Sequence, residues 1–320
     1  NETGTGMPIN NTAAYNYYKQ AYENGYSSLG NGQVKAEMAL ARLYDAGIGT
    51  QKDAVKAAQL YQQAANSGNI YAKFQLAKKY ETGDGVNKDF AKAFDLYQEV
   101  ANQGNANVQY KLGMYYLDGN QVAKDVNKAL NWLNKSVANK NEKAAYVLAQ
   151  MYFNGNGVKK SDQKAAELFE ISEAKGNMVS KYIRAEMYST GRGVNIDYTK
   201  AAEWNIRAAN SGYKDAQSKL ALMYDAGIGV KQNSAEAFKW YSKASEQGDI
   251  NSQYHLGLMY FNGNGTSTDY SKAFYWLDSA YKNGNMLAKN QLAVMYKNGY
   301  GVEKDLAKAY ELLVNSSAKN

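Results

Sequence analysis

Residues 33–68 read QVKAEMALARLYDAGIGTQKDAVKAAQLYQQAANSG, and their apolar positions fall at the spacing of two short helices. Ala36, Leu40, Ala41 and Tyr44 stand at i, i+4, i+5 and i+8, which makes one apolar stripe on a first helix of about three turns. The Gly47-Ile48-Gly49 segment ends that helix, because glycine takes positive φ at a helix C-terminus without steric cost. Asp53 opens a second helix, its carboxylate accepting from the free N–H groups of the first turn. Ala57, Leu60, Tyr61 and Ala64 give that helix its own stripe of alternating small and large residues, so neighbouring helices approach closely. Gly68 closes the unit.

Written in rows of 36, residues 33–320 give eight rows without insertion or deletion, the mark of a stacked array. One column is always Tyr: Tyr44, Tyr80, Tyr116, Tyr152, Tyr188, Tyr224, Tyr260 and Tyr296. Another is always Ala, from Ala57 and Ala93 to Ala309. The cap column reads Asp53, Asp89, Asp125, Ser161, Asp197, Asn233, Asp269 and Asp305. A pair of antiparallel helices buries only one side of itself, so each row depends on its neighbours. The expected fold is all-α, an α/α solenoid of eight 36-residue repeats over 33–320, preceded by a flexible segment at 1–11 and a capping helix with linker at 12–32. Ala14, Tyr18, Ala21 and Gly25 match Ala57, Tyr61, Ala64 and Gly68 at a displacement of 43, leaving seven extra residues for the linker around Ser27 to Gly32. At the other end Ser316 and Ser317 replace a small apolar pair, as a solvent-facing last helix allows.

These columns resemble the Sel1-like repeat, with LALMYDAGIGV and AEAFKWYSKASEQG in residues 217–249 and HLGLMYFNGNG and SKAFYWLDSA from His255 onward. The paired glycines and the 36-residue period separate the pattern from the 34-residue tetratricopeptide repeat. The resemblance implies a right-handed superhelix whose concave face binds proteins, often in bacterial envelope, secretion or signalling systems, and some members are antitoxins. Members with one disulfide per repeat exist; this chain has no cysteine. It departs locally where Arg184 replaces Leu, Gln121 replaces the second Gly, Lys140 replaces the closing Gly, and Thr50 and Thr266 replace Val. An Arg in a core column must be paired or must reach the surface; it is either a tolerated irregularity or a group presented to a partner.

Composition narrows the chemistry. Without Cys there is no disulfide framework or thiolate metal site, and the one histidine, His255, leaves little for imidazole chemistry. The net charge of +7 comes from Lys and Arg spread through every row beside Asp or Glu, a solvated surface rather than a phosphate-binding stripe, so no nucleic-acid partner is expected. No apolar run reaches the ~18–20 residues of a membrane span. The first residue is Asn1 rather than Met, which suggests a removed leader and a periplasmic or secreted location, the cytoplasm being the alternative.

Two S-x-x-K matches, Ser161 to Lys164 and Ser172 to Lys175, carry the nucleophile in penicillin-interacting hydrolases, but Ser161 lies in the cap column and Ser172 in a small packing column. The recurring Gly-Asn-Gly turns lack the Lys-Ser/Thr ending of a phosphate loop. The acids of the cap column come once per 36 residues, not within a 12-residue calcium loop. His255 reads as a surface or groove histidine. No catalytic residue, metal or cofactor is expected, and the chain reads as a non-enzymatic protein-binding scaffold in a bacterial envelope or secretion context. A sharper version is an immunity protein that occludes a secreted effector such as a phospholipase.

By analogy with tetratricopeptide geometry, the variable first-helix positions two after the Leu and one after the Tyr face the groove. They supply the candidate contacts Arg42, Asp45, Lys78, Glu81, Met114, Leu117, Gln150, Phe153, Glu186, Leu222, Asp225, Leu258 and Phe261. Positions two before the Leu, such as Tyr182 and Tyr254, read mainly as packing. The pattern is charged at the ends and apolar around Met114, Leu117 and Phe153, with a second apolar patch at Leu258 and Phe261. Such clusters mark an interface unless neighbouring rows cover them.

Overall fold

A computed structural model describes residues 10–25, 32–172 and 177–314. Expectations for the flexible segment up to residue 9, for the linker at 26–31, for Lys175 and for Ser316 and Ser317 lie outside the described residues. Within them every regular element is a helix. In chain order these are α1 (Asn11–Glu23), α2 (Gly32–Ala46), α3 (Ala54–Asn66), α4 (Ile70–Thr82), α5 (Phe90–Asn102), α6 (Ala106–Asp118), α7 (Val126–Ala138), α8 (Glu142–Asn154) and α9 (Asp162–Ser172). Then come α10 (Met178–Thr190), α11 (Tyr198–Asn210), α12 (Lys214–Ala226), α13 (Ser234–Glu246), α14 (Ile250–Asn262), α15 (Tyr270–Lys282), α16 (Leu287–Asn298) and α17 (Leu306–Val314). The chain divides into two compact units, residues 1–145 and 146–320.

All eight residues of the cap column do the work their chemistry suits. The Asp53, Asp89, Asp125, Asp197, Asp269 and Asp305 carboxylates, the Asn233 side-chain oxygen and the Ser161 hydroxyl each accept from the backbone N–H three residues on, at 2.9–3.3 Å. Each cap residue also donates its own N–H to the carbonyl of its repeat's invariant Tyr, from Asp53 to Tyr44 (3.0 Å) through Asp305 to Tyr296 (2.9 Å). That bond folds the second helix back along the first.

The Leu and Ala columns form the core. Leu40, Leu76, Leu112, Leu148, Leu220, Leu256 and Leu292 are buried, as are Ala57 and its seven equivalents. Each buried Leu contributes ~1.5–3 kcal/mol. The invariant Tyr is only half-buried in every repeat but the third. In seven repeats its ring lies under a Lys ammonium from the next helix's first turn, 4.9–5.5 Å from the ring centre, as with Lys56 over Tyr44. The fully covered place belongs to the residue before it: Leu43, Met151, Met187, Met223, Met259 and Met295 are buried.

Arg184 takes its Leu column's place inside the core at 6% exposure. Its guanidinium donates to Glu170 at 3.0 Å and lies over the Trp204 ring, 4.9 Å from the centre. The guanidinium itself stays covered while it pairs with an exposed carboxylate.

Repeats are spaced by a backbone approach. A β-carbon at Gly85 would lie 2.0 Å from the Ala54 carbonyl oxygen, at the first residue of the previous repeat's second helix. Gly193, Gly229, Gly265 and Gly301 meet the equivalent carbonyls at 2.0–2.2 Å. Gly49 meets that of Asn11 at 2.1 Å, so α1 stands where a preceding second helix would. Lys140 raises a different problem: it is the one non-glycine residue with positive φ (63°) among the described residues, while a β-carbon at the equivalent Gly104 would meet nothing within 4 Å. Space is free there and only the backbone conformation costs.

Two substitutions separate these effects. Gly85→Ala forces both a carbonyl clash and a left-handed alanine, and should cost at least ~2 kcal/mol in urea unfolding. Lys140→Gly removes only the left-handed strain and should raise stability by ~0.5–1 kcal/mol. Equal and opposite results, or no effect at Gly85, would remove the close approach as the spacing device.

Candidate functional site

In the first unit the acids expected to face a partner are bonded within the protein. Lys79 occupies the column filled elsewhere by Leu43, Tyr115 and five methionines and is 4% exposed. It donates to Asp45 at 2.5 Å and to Asp84 at 2.8 Å. Burial works against the charged lysine, but the two carboxylates more than offset this and its pKa is raised. Asp84 is correspondingly held below the usual carboxylate range by its hydrogen bond from Lys79. Glu81 collects three donors: Lys111 Nζ at 2.6 Å, the Tyr97 hydroxyl at 2.7 Å and the Tyr115 hydroxyl. Burial pushes its pKa up, yet these bonds win and it is lowered. Lys78 is exposed with its ammonium 5.8 Å from the Phe74 ring centre, and Arg42 is exposed on α2. Met114 and Leu117 are half-buried on α6, with Leu117 against the cluster around Tyr97 and Leu112.

In the second unit Phe153 is likewise covered from within. Its ring meets Phe169 edge-on at 5.9 Å and carries the Arg192 guanidinium 3.6 Å from its centre, while Arg192 donates to Asp162 at 2.7 Å. Gln150 donates to the Tyr146 hydroxyl at 2.9 Å, and Glu186 pairs with Lys219 at 3.5 Å. Leu258 and Phe261 pack on the cluster around Leu277 and Leu292, with Phe261 edge-on to Tyr270. Asp225 is half-buried, whereas Leu222 is exposed.

Leu222 borders a cleft of ≈ 320 Å³ between α10, α12 and α14, floored by α13. Tyr182, Ser218, Tyr241, Asp249 and His255 form its walls. Ser252 donates to the Ser218 hydroxyl (2.9 Å), which donates to Asp249 Oδ1 at 3.0 Å; the same oxygen caps α14 through the Ser252 N–H at 2.7 Å. His255 stacks on Tyr241 with ring centres 4.9 Å apart and planes 10° apart. Burial lowers the imidazole's pKa, against the pull of Asp225 and Asp249. Tyr241 is 2% exposed, and its hydroxyl has no hydrogen-bond partner among the described residues. Sequence periodicity assigned Tyr241 to packing and left Asp249 out; only the folded chain brings them beside His255.

The candidate nucleophiles have structural employment. Ser161 caps α9, and Ser172 bonds the Phe169 carbonyl and the Ser180 hydroxyl at 2.8 and 2.7 Å.

The model of the Sel1 repeat matches nine segments: 1–26, 34–69, 70–105, 106–141, 142–177, 180–213, 214–249, 250–285 and 287–319. The chain belongs to the Sel1 repeat family. Its first matched segment includes α1, which explains why that helix receives Gly49 as a second helix would. Among solved structures, a Sel1 repeat protein from Oxalobacter formigenes is 28% identical, with 95% of this chain and 87% of that one covered and a TM-score of 0.66. A protective antigen of uropathogenic Escherichia coli with the same repeat fold is 26% identical over 99% of this chain and 82% of that one, at a TM-score of 0.57. An immunity protein from Pseudomonas aeruginosa is 21% identical over 67% of this chain and 81% of that one, at a TM-score of 0.33. No curated protein matches the chain.

The His255 environment has a measurable consequence for this Sel1 repeat protein. Because burial depresses the folded imidazole's pKa below its ordinary 6.5, the folded state binds fewer protons than the unfolded state between the two values. The resulting stability is complete above the unfolded pKa and is lost as pH falls through the folded one. The stability of the wild type minus that of His255→Gln should therefore fall between pH 7 and pH 5, as followed by urea midpoints. A difference that stays flat, or grows toward pH 5, would contradict the burial of this ring.

Proposed function

We propose that this chain is a non-enzymatic scaffold that holds another protein against its first-helix face. The Sel1 repeat fold suggests a protein–protein interaction scaffold, and the caps, the turn bonds and the Leu and Ala columns occupy the repeated residues with construction. The observation that carries the reading here is the cleft beside Leu222, where 42% of a large apolar residue stays exposed next to a buried tyrosine hydroxyl lacking a partner. An exposed apolar group rimmed by polar ones is the usual composition of an interface centre. A bacterial envelope or secretion context for the chain is part of the same reading; the similar Escherichia coli protein is a protective antigen.

The test uses two surface variants of the whole chain. Leu222→Arg lies on the proposed face, and Val55→Asp changes a still more exposed residue on α3 (55%). Both should melt like the wild type. A partner identified by affinity capture and mass spectrometry should lose at least ~2 kcal/mol of binding to Leu222→Arg, as for an anchor at an interface centre, and bind Val55→Asp normally. Normal binding by Leu222→Arg with loss in Val55→Asp would move the interface off this face.

A further inference from the structure

Two positions in this chain are built on the same three-residue plan, and one of them already holds a cation. In the first unit Glu81, Tyr97 and Lys111 come from α4, α5 and α6. The Lys111 ammonium lies 4.5 Å from the Tyr97 ring centre, 3.1 Å from its hydroxyl and 2.6 Å from Glu81, while that hydroxyl donates to Glu81 at 2.7 Å. The arrangement is complete: the ammonium has a ring face, a hydroxyl and a carboxylate, and the phenol donates a hydrogen bond to the same carboxylate.

Four repeats later the equivalent positions are Asp225, Tyr241 and His255. The acid is one methylene shorter and the lysine has become an imidazole stacked on the ring. The Tyr241 hydroxyl, though 2% of the residue is exposed, is left without a hydrogen-bond partner among the described residues. A second carboxylate, Asp249, stands on the cleft wall with its Oδ1 held by Ser218 and the Ser252 N–H. Among the described residues neither Asp225 nor Asp249 has a lysine or arginine at ion-pairing distance, and the cleft's own Lys219 pairs with Glu186. The first position spends a cation of the chain where the second has carboxylates, a phenol and an open cleft.

We propose that this cleft binds the ammonium group of a lysine side chain presented by the partner protein. The ammonium donates to the Asp249 carboxylate on the cleft wall and to the Tyr241 hydroxyl, and the phenol turns its proton toward Asp225, whose field already reaches it, as Tyr97 does to Glu81. The Tyr182 ring and Leu222 line the route for the lysine's methylenes. Burial and the fields of Asp225 and Asp249 raise the Tyr241 pKa, so the hydroxyl stays neutral and able to serve as both acceptor and donor. The proposal rests on the scaffold reading and adds to it the chemistry of one contact.

The single histidine makes the test direct, because His255 supplies the only imidazole resonances. The full chain, labelled at histidine, is titrated with acetyl-Gly-Lys-Gly amide, with the norleucine and glutamate versions of that peptide, and with butylammonium. The lysine peptide should shift the His255 signals saturably, and the norleucine and glutamate peptides should not. Asp225→Asn, Asp249→Asn, which keeps the helix cap, and Tyr241→Phe, which keeps the ring, should each weaken the lysine peptide at least ~5-fold, as expected on removing one partner of a half-buried charge. Equal response to norleucine would make the cleft an apolar pocket and overturn the proposal. So would an equal affinity for butylammonium, which would assign the site to free amines, or the absence of any response to the lysine peptide. If the peptide fails while Leu222→Arg still abolishes partner binding, the cation site falls and the scaffold stands.

Discussion

Within each of the two units, the carbonyl oxygen at the start of one second helix lies where a β-carbon of the next repeat's glycine loop would be, as Ala54 does against Gly85. No side chain mediates this approach, so it fixes the distance between neighbours whatever the rest of the repeat contains. The cap-to-tyrosine backbone bond fixes the angle within each repeat in the same way. With both set by main chain and glycine, the side chains facing outward from the first helices are released from construction. Gln121 stands in the glycine column of the third repeat. Lys140 being the one described non-glycine residue with positive φ, Gln121 does not reproduce the glycine conformation, and the loop after α6 departs from its equivalents there.

Much of this was legible in the sequence because it repeats. A residue type that recurs every 36 positions reports a job that recurs, and the cap column, the Leu and Ala cores and the turn glycines all appear in the structure as read. The invariant tyrosine lies less deep than its place on the apolar stripe implies: its constancy reflects a half-buried ring under a lysine and a carbonyl in a backbone bond. The deeper column one residue earlier was not visible as such, since leucine and methionine share it with Lys79 and Tyr115. Lys79 is tolerable there only because Asp45, 34 residues away, and Asp84 reach it, and no periodicity announces such a pairing.

The site was less legible for a related reason. Variable first-helix positions were read as a face toward a partner, but variation also arises where two repeats complement each other. Asp45, Glu81 and Phe153 each meet a residue of a neighbouring helix that changed with them, and their charge or apolar surface is largely consumed inside. What distinguishes Asp225 and Tyr241 from Glu81 and Tyr97, besides the shorter acid, is the absence of the matching lysine, which becomes informative only once the equivalent three positions are seen to meet at Glu81, Tyr97 and Lys111.

The carbonyl-to-glycine contact also bears on how such a protein changes length. A loop that shrinks or grows by one residue would lose its seat on the neighbouring helix, and no side-chain substitution could restore it. A repeat with the glycine carries its own seat and its own carbonyl, so duplication or loss of such a repeat leaves its junctions intact. The array is thus free to lengthen or shorten in steps of one module, and a ladder of homologous chains differing by whole repeats is the diversity this contact permits.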